Sequence, residues 1–472
     1  MFKVGVTSRA DRRGAMHRRQ PGYAAGAGRV ASRKQRGQTT VKLEMFHLMP
    51  YRELPQDFDE RYRSVWVDVP SHLMDPLKVH QMYNDTLDEL ELAAVSGFDG
   101  VCVNEHHQNA YGFMPSPNIM AATLARRTRD TAIIVLGNSI ALYNPPIRVA
   151  EEFAMLDCIS GGRLVAGFPV GSSMDVNFAY GANPATFRDK YYEAEELILK
   201  AWTNPEIFSF DGKYTQLRYV NLWPRPLQKP HPPIWIPGGG SIETWGWSLQ
   251  KGYLYAYLSY AGFKRGKMVM DGFWKKADEL GVEKNPYQGG FLQLVAVGET
   301  ESEVADKFGP HGEYFYNKML HVYPGFADAP GYRTIDTIKA GLLSQTTQFG
   351  ERPPKMSWKQ LLEAGNIVAG TPKQVTEQLE QVIKDLHIGH LMILSQFGSI
   401  PHELAMDNIR TTATKVLPNL RGIWDGQWED KWWIHPIAAP QMPGPLRFQQ
   451  PAAVNGGQRS GGRQPAGAPA GD

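Results

Sequence analysis

Eight short β-rich runs alternate with helical segments in strict β-then-α order, which predicts an α/β chain: a TIM-like (β/α)8 barrel with insertions after strands 4 and 7. The runs are residues 43–49, 100–105, 132–140, 164–170, 233–237, 253–259, 292–297 and 390–396. Between them lie helical segments at 76–96, 117–127, 146–159, 187–202, 263–280 and 372–386. Several of these open on proline or follow a capping residue, as a first helical turn prefers; Thr371-Pro372-Lys373 and Ser241-Ile242-Glu243-Thr244 are such starts. Periodicity does not show closure, so a doubly wound open sheet is the competing arrangement.

At 472 residues, 42% hydrophobic and 21% charged, the chain has ample core for one large α/β domain or two smaller ones. The formal charge of +2 conceals an asymmetry: residues 1–40 carry ten basic groups against Asp11, leaving 40 basic and 47 acidic residues beyond. The body is therefore mildly acidic, which argues against nucleic acid as its partner. The basic leader at 1–40 and the Pro/Gly/Ala-rich stretch at 436–472 read as disordered extensions of a barrel domain at 41–435. Cys102 and Cys158, both among apolar neighbours, fit buried thiols of a reducing, cytoplasmic compartment. No run is long and apolar enough to span a membrane.

Two connections exceed simple loops. Residues 205–232 carry Trp223-Pro224-Arg225-Pro226, and residues 302–370 carry Tyr314-Phe315-Tyr316. A lid or added wall over a pocket is the expectation for both, with a surface embellishment used in oligomerisation as the alternative. Their Trp223, Tyr314, Phe315 and Tyr316 point to an apolar or aromatic small-molecule substrate.

Chemistry concentrates where strands end. The run Gly100-Val101-Cys102-Val103 passes without a gap into Asn104-Glu105-His106-His107, and alternation turns His106 opposite to Glu105 and His107. Adjacent histidines with no further ligand motif make a metal site less fitting than acid–base work; hydrogen bonding at a barrel rim is the plainer alternative. After the fifth run, Pro237-Gly238-Gly239-Gly240-Ser241 empties into a helix start, where backbone N–H groups, hydroxyls at Ser241 and Thr244 and the helix dipole suit a phosphate; taken alone, it reads more readily as a flexible turn with an ordinary serine cap. Gly167-Phe168-Pro169-Val170-Gly171-Ser172-Ser173 repeats the pattern of glycine and hydroxyls at a strand end. The helix opened by Pro145-Pro146 and closed by Gly161-Gly162, with Arg148 one turn from Glu151 and Glu152, reads as packing with a surface ion pair.

In order and spacing these stretches resemble the bacterial luciferase-like flavin monooxygenase family from about Lys42 to Trp424: Gly-Phe-Asp before Glu105-His106-His107, Pro146-Ile147-Arg148-Val149-Ala150-Glu151-Glu152, Leu156-Asp157-Cys158-Ile159-Ser160-Gly161-Gly162-Arg163, Pro232-Pro233-Ile234-Trp235 and Gly370-Thr371-Pro372. The resemblance implies a barrel that binds FMN at the strand carboxyl ends. Reduced FMN, supplied by a separate reductase, would react with oxygen and oxidise a small substrate through a flavin hydroperoxide. It further implies His106 as the catalytic histidine, Asn138 and Ser139 against the flavin ring, Val170, Gly171 and Ser172 beside the cofactor, and Gly240, Ser241 and Thr244 at its phosphate. It implies a homodimer as well. Luciferases proper carry an arginine where Val170 stands and a cysteine where Pro169 stands, so the resemblance stops short of light emission. Ser172 and Ser173, or a larger share for the Ser241 helix, are then the alternatives for holding the phosphate. A deazaflavin-dependent hydride transferase and a non-catalytic barrel subunit are the competing functions.

Overall fold

The computed structural model describes residues 40–171, 174–258, 260–327, 331, 334–335, 337–339 and 355–436. The expected leader and tail, apart from Thr40 and Pro436, lie outside the described residues, as do Ser172, Ser173 and Ser259.

The strands are β1 (Lys42–Phe46), β2 (Gly100–Val103), β3 (Ala132–Val135), β4 (Leu164–Gly167), β5 (Phe208–Asp211), β6 (Gln216–Val220), β7 (Ile234–Gly238), β8 (Leu254–Tyr257), β9 (Gly289–Val297), β10 (Ile367–Gly370) and β11 (His390–Leu394). Eight of them pair in parallel in the ring order β1, β2, β3, β4, β7, β8, β9, β11 and back to β1. Closure decides against the open sheet. Alternate residues face two ways: Phe46, Cys102, Ile134, Trp235 and Met392 fill the barrel interior. Met45, Val101, Ile133, Ile236 and Ile393 pack outward beneath the helices.

The helices begin and end on local signals. Asp75 caps Pro76–Ser96 by accepting from the Leu77 N–H at 2.9 Å, and Thr371 with Gln374 forms a reciprocal capping box on Pro372–Leu386. The expected run 132–140 stops pairing at Val135, because the chain leaves the ladder at Gly137. A Cβ there would lie 2.2 Å from the Glu105 backbone nitrogen. Gly167 is pressed as tightly: its Cβ would lie 2.2 Å from the Val135 carbonyl oxygen.

β5, β6 and β10 were not expected. β9 outruns its neighbour β8, so β10 takes over the same edge, pairing Ile367 with Leu294 through Gly370 with Val297. The hairpin β5–β6 corrects the expectation for 205–232. That connection precedes β7 and runs by the amino-terminal ends of the strands, where the Gln228 side chain donates to the carbonyl of Leu164, the first residue of β4. It is no lid over the carboxyl ends. Its Trp223 is 82% exposed beside an outer cavity of about 420 Å³ that Phe208 and Arg225 also border. The described residues Tyr314 and Tyr316 of the connection after β9 do lie at the carboxyl end, where their hydroxyls donate to the carbonyls of Tyr51 and Tyr260, which follow β1 and β8. At the opposite end Trp432 and Trp433 seal the barrel floor, with the Trp235 indole donating to the Trp432 carbonyl and Trp433 against His390. Of the two thiols only Cys102 is buried; Cys158 sits exposed on the helix Ile147–Ser160. No described helix is long and apolar enough to cross a membrane.

One buried carboxylate staples the helix Pro76–Ser96 in place. Glu89 bonds His47 Nε2 at 2.8 Å and His402 Nδ1 at 2.9 Å. Burial works to raise the Glu89 carboxyl, but the bonds from His402 and His47 outweigh it and hold it below its ordinary range. The Glu89 bond in turn raises His402 above 6.5. A raised imidazole contributes stability that is complete below its unfolded pKa and is lost as pH rises through the folded value. Unfolding free energy is therefore expected to fall as pH climbs past 6.5, and His402→Gln should remove that part of the slope in denaturant titrations at several pH values. A second contrast tests the close-packed strand ends. Gly167→Ala should cost about 1–3 kcal/mol. Gly246→Ala, mid-helix with only the Lys276 side chain within reach, should stabilise by about 0.5–1 kcal/mol; urea midpoints measure both.

Candidate active site at the carboxyl ends of the strands

β2 ends at Val103, and the next residues are fixed by side-chain bonds instead of a ladder. Buried Glu105 accepts from the Ser139 backbone N–H at 2.7 Å, from the Tyr143 hydroxyl at 2.9 Å and bonds His107 Nε2 at 2.9 Å. Burial and the Glu105 charge push the Tyr143 phenol up, so it stays a neutral donor. With Glu105 and His107 paired on one side, His106 turns to the other, as alternation predicted.

There His106 Nδ1 meets the fully buried carboxylate of Asp175 at 3.1 Å. An ionised carboxylate only accepts, so Nδ1 carries the hydrogen and Nε2 is left to exchange a proton. Asn109 holds the carboxylate from the other direction: its amide donates to Asp175 Oδ2 at 2.8 Å and to the His107 carbonyl, while its oxygen accepts from the Gly112 N–H. The Tyr111 ring stands edge-on to the imidazole at 4.8 Å. Neither Asp175 nor Asn109 was singled out in the sequence, and Asp175 approaches from the helix Met174–Ala179, 69 residues away.

Asn138 and Ser139 follow β3 and are buried. Asn138 Oδ1 accepts from Asn118 Nδ2 at 2.9 Å, and the same amide reaches Glu152 at 2.7 Å, which also pairs with Arg148. The helix Ile147–Ser160, read as packing alone, thus orients a site residue through Asn118. Asn138 Nδ2 is buried with no partner, an orphaned donor of the kind a heteroaromatic acceptor would satisfy. After β4, Val170 is buried, and a Cβ on Gly171 (φ +77°) would lie 2.9 Å from Ser139 Oγ and 3.4 Å from the Phe187 ring. Ser172 lies outside the described residues.

Beyond β7 the helix Ile242–Lys251 starts at Ser241, whose side chain makes no capping bond to it. Instead Ser241 Oγ accepts from Arg188 Nη2 at 3.1 Å, and Thr244 Oγ1 accepts from Arg188 Nη1 at 3.2 Å. Ser241 also donates to Glu243 at 2.7 Å. Burial works to raise Glu243, but bonds from Thr334, Ser241, its own N–H and Thr337 push it down to about 2. Gly240 (φ +101°) shapes the turn, and its N–H meets the Tyr255 hydroxyl. Two hydroxyls and a guanidinium at a helix start fit a phosphate dianion, and Ser241 would rotate its hydrogen off Glu243 to serve it. Arg188 brings a cation to the hydroxyls of Ser241 and Thr244. It is the fifth residue of the helix Pro184–Thr203, and no local pattern in the sequence marks it.

In ring order, β2, β3, β4 and β7 are successive neighbours. They carry His106, then Asn138 and Ser139, then Gly171, then Gly240, Ser241 and Thr244.

Residues 65–388 match the model of the family described as luciferase-like monooxygenase. The y4wF protein of Sinorhizobium fredii (strain NBRC 101917 / NGR234) is 25% identical over 342 residues, 71% of this chain and 92% of that protein. Among solved structures, the oxygenating constituent of 3,6-diketocamphane monooxygenase of Pseudomonas putida, in complex with FMN, superposes with a TM-score of 0.60 at 17% identity, covering 80% of this chain and 98% of that one. An F420-dependent secondary alcohol dehydrogenase in complex with an F420–acetone adduct reaches 0.55 at 16% identity, covering 81% and 99%. At such identities the likeness speaks for the barrel alone. The family match extends over most of the described chain and spans the strand ends built above. The protein belongs to the luciferase-like monooxygenase family of oxidoreductases.

Proposed function

We propose that this protein is a flavin-dependent monooxygenase that uses reduced FMN and molecular oxygen to oxidise a small organic substrate. The observation that carries the reading is the presence, on one rim of the barrel, of an imidazole–carboxylate couple (His106, Asp175) after β2 and a hydroxyl–guanidinium cradle (Ser241, Thr244, Arg188) after β7, with β3 and β4 between them. Arg188, Ser241 and Thr244 would hold the phosphate, Gly171 and Gly240 would let backbone approach the cofactor, and Asn138 and Ser139 would lie along its ring. When bound, reduced FMN supplies the electrons that activate oxygen.

His106 moves the proton at Nε2, and Asp175, braced by Asn109, positions the ring and fixes its tautomer. The buried Tyr111 and Phe315 exclude water from that side. Because the chain has no nicotinamide fingerprint, a separate reductase supplies the reduced flavin, in line with the neighbour described as an oxygenating constituent. A homodimer is part of the same proposal: Ile119, Met155 and Ile159 are exposed on the outer helices Pro117–Arg127 and Ile147–Ser160.

The F420-dependent neighbour keeps a deazaflavin as the second reading. Anaerobic titration of the protein with reduced FMN and with reduced deazaflavin separates the two; tighter uptake of the deazaflavin overturns the FMN assignment. His106→Ala is expected to slow turnover about a hundredfold or more while flavin uptake is retained. Arg188→Ala is expected to weaken reduced FMN binding about tenfold to a hundredfold, the range for a charge-assisted bond lost to a buried partner. Equilibrium dialysis gives that affinity, and a value equal to wild type would remove Arg188 from the cradle.

A further inference from the structure

The floor of the barrel, opposite the candidate site, holds buried charges that the proposed chemistry does not use. Glu44 of β1 and His390 of β11 are fully buried, and His390 Nδ1 bonds Glu44 Oε1 at 3.0 Å. The other ring nitrogen, Nε2, stands 3.8 Å from Asp430 Oδ1, an ion-pair distance, and the Asp430 side chain is only 6% exposed. Asp430 belongs to residues 428–436, which form no helix or strand. This stretch lies across the amino-terminal ends of several strands. The Asn285 amide, before β9, donates to the Glu429 carbonyl at 2.9 Å, and the Trp432 indole donates to the Gly252 carbonyl, before β8, at 2.8 Å. The Trp235 indole of β7 donates to the Trp432 carbonyl at 3.1 Å.

The groups that face His390 come from each element packed around it. β1 supplies Glu44, and its Lys42 ammonium lies over the Trp433 ring at 5.4 Å. Trp235, Tyr287 and Trp433 enclose the imidazole with their rings. Asp99 and Cys102 act through space on Glu44, and Asp425 on Tyr287. A carboxylate only accepts, and a neutral imidazole has one N–H for two ring nitrogens. Only the imidazolium therefore serves Glu44 and Asp430 together. Burial works to lower His390, but Asp430 and Glu44 outweigh it and push it up to about 9. Asp430 also accepts from the Trp432 N–H of its own stretch at 3.0 Å, while its Oδ2 is buried without a hydrogen-bond partner. Once His390 is neutral, two buried carboxylates share the floor without the cation between them, which is costly. Glu44 is fixed in a strand; Asp430 is on a stretch that can leave.

We propose that residues 428–436 are a pH-sensitive plug, closing the amino-terminal mouth of the barrel while His390 is an imidazolium and opening when that proton is lost. A raised imidazole contributes stability that is complete below its unfolded value and lost as pH rises through the folded one. Closure therefore weakens between 6.5 and about 9.

Trypsin reads the plug directly, because the Lys431–Trp432 bond lies inside it and cleavage requires local release. The full-length protein and Asp430→Asn are digested at about pH 7 and about pH 9.5, on either side of the His390 transition. Cleavage after Lys431 is followed by mass spectrometry and normalised to hydrolysis of a small arginine ester by the same trypsin. Far-UV circular dichroism is recorded on both proteins at both pH values. Wild type should be cut about tenfold faster at the higher pH with its circular dichroism unchanged. Asp430→Asn, with no charge to strand, should be cut at rates within about twofold of each other at the two pH values. Equal wild-type rates at the two pH values would overturn the proposal. So would a wild-type ratio retained in Asp430→Asn, or a loss of circular dichroism in step with cleavage, which would mean that the whole barrel opens and not the plug.

Discussion

The buried carboxylate of Glu105 is the constraint on which the mouth of this barrel depends. It sits where β2 stops making ladder bonds, and it replaces them with three side-chain bonds that reach β3's loop, Tyr143 and His107. Gly137 is pressed against the Glu105 backbone at a distance no Cβ tolerates, so the β2 and β3 ends meet main chain to main chain. Everything that faces the pocket follows from that lock. His106 is turned away from the carboxylate, Ser139 is held by its own N–H, and Asn138 is set by Asn118 and Glu152 from the helix layer. A polar network buried and largely satisfied in this way specifies one arrangement, because any other leaves a charge or donor unpaired.

The same barrel separates two kinds of chemistry around its rim. On the β2 side an imidazole is backed by a carboxylate and faced by neutral rings; on the β7 side hydroxyls gather around a guanidinium. On the first, the buried Asp175 carboxylate holds the His106 imidazole through Nδ1. Dense hydrogen bonding marks the second, where Glu243 is kept anionic by four donors while Arg188 spans Ser241 and Thr244.

Much of this was legible in the sequence. The order of strands and helices, the proline and Thr371 starts, and the strand-end clustering of His106, Ser241 and Thr244 came from signals carried within a few residues. Asp175, Arg188 and Tyr111 were not legible as site residues. Asp175 meets His106 across 69 positions, and Arg188 meets Ser241 across 53; neither pairing leaves a local pattern. Trp223 shows the converse failure. Aromatic composition marked it for the pocket, but a connection that runs from helix to strand emerges at the amino-terminal end, so the side chain is on the other side of the molecule.

The sequence by itself determined the alternation that makes a barrel, the caps that start its helices, and which strand ends carry reactive groups. These depend on side-chain periodicity and on backbone donors satisfied within a turn. Only the tertiary structure decided that the sheet closes, that β10 covers the edge β8 leaves, that Asp175 meets His106, and that Arg188 spans Ser241 and Thr244. Those outcomes depend on which distant segments are brought within hydrogen-bonding distance, and a local pattern holds no record of that.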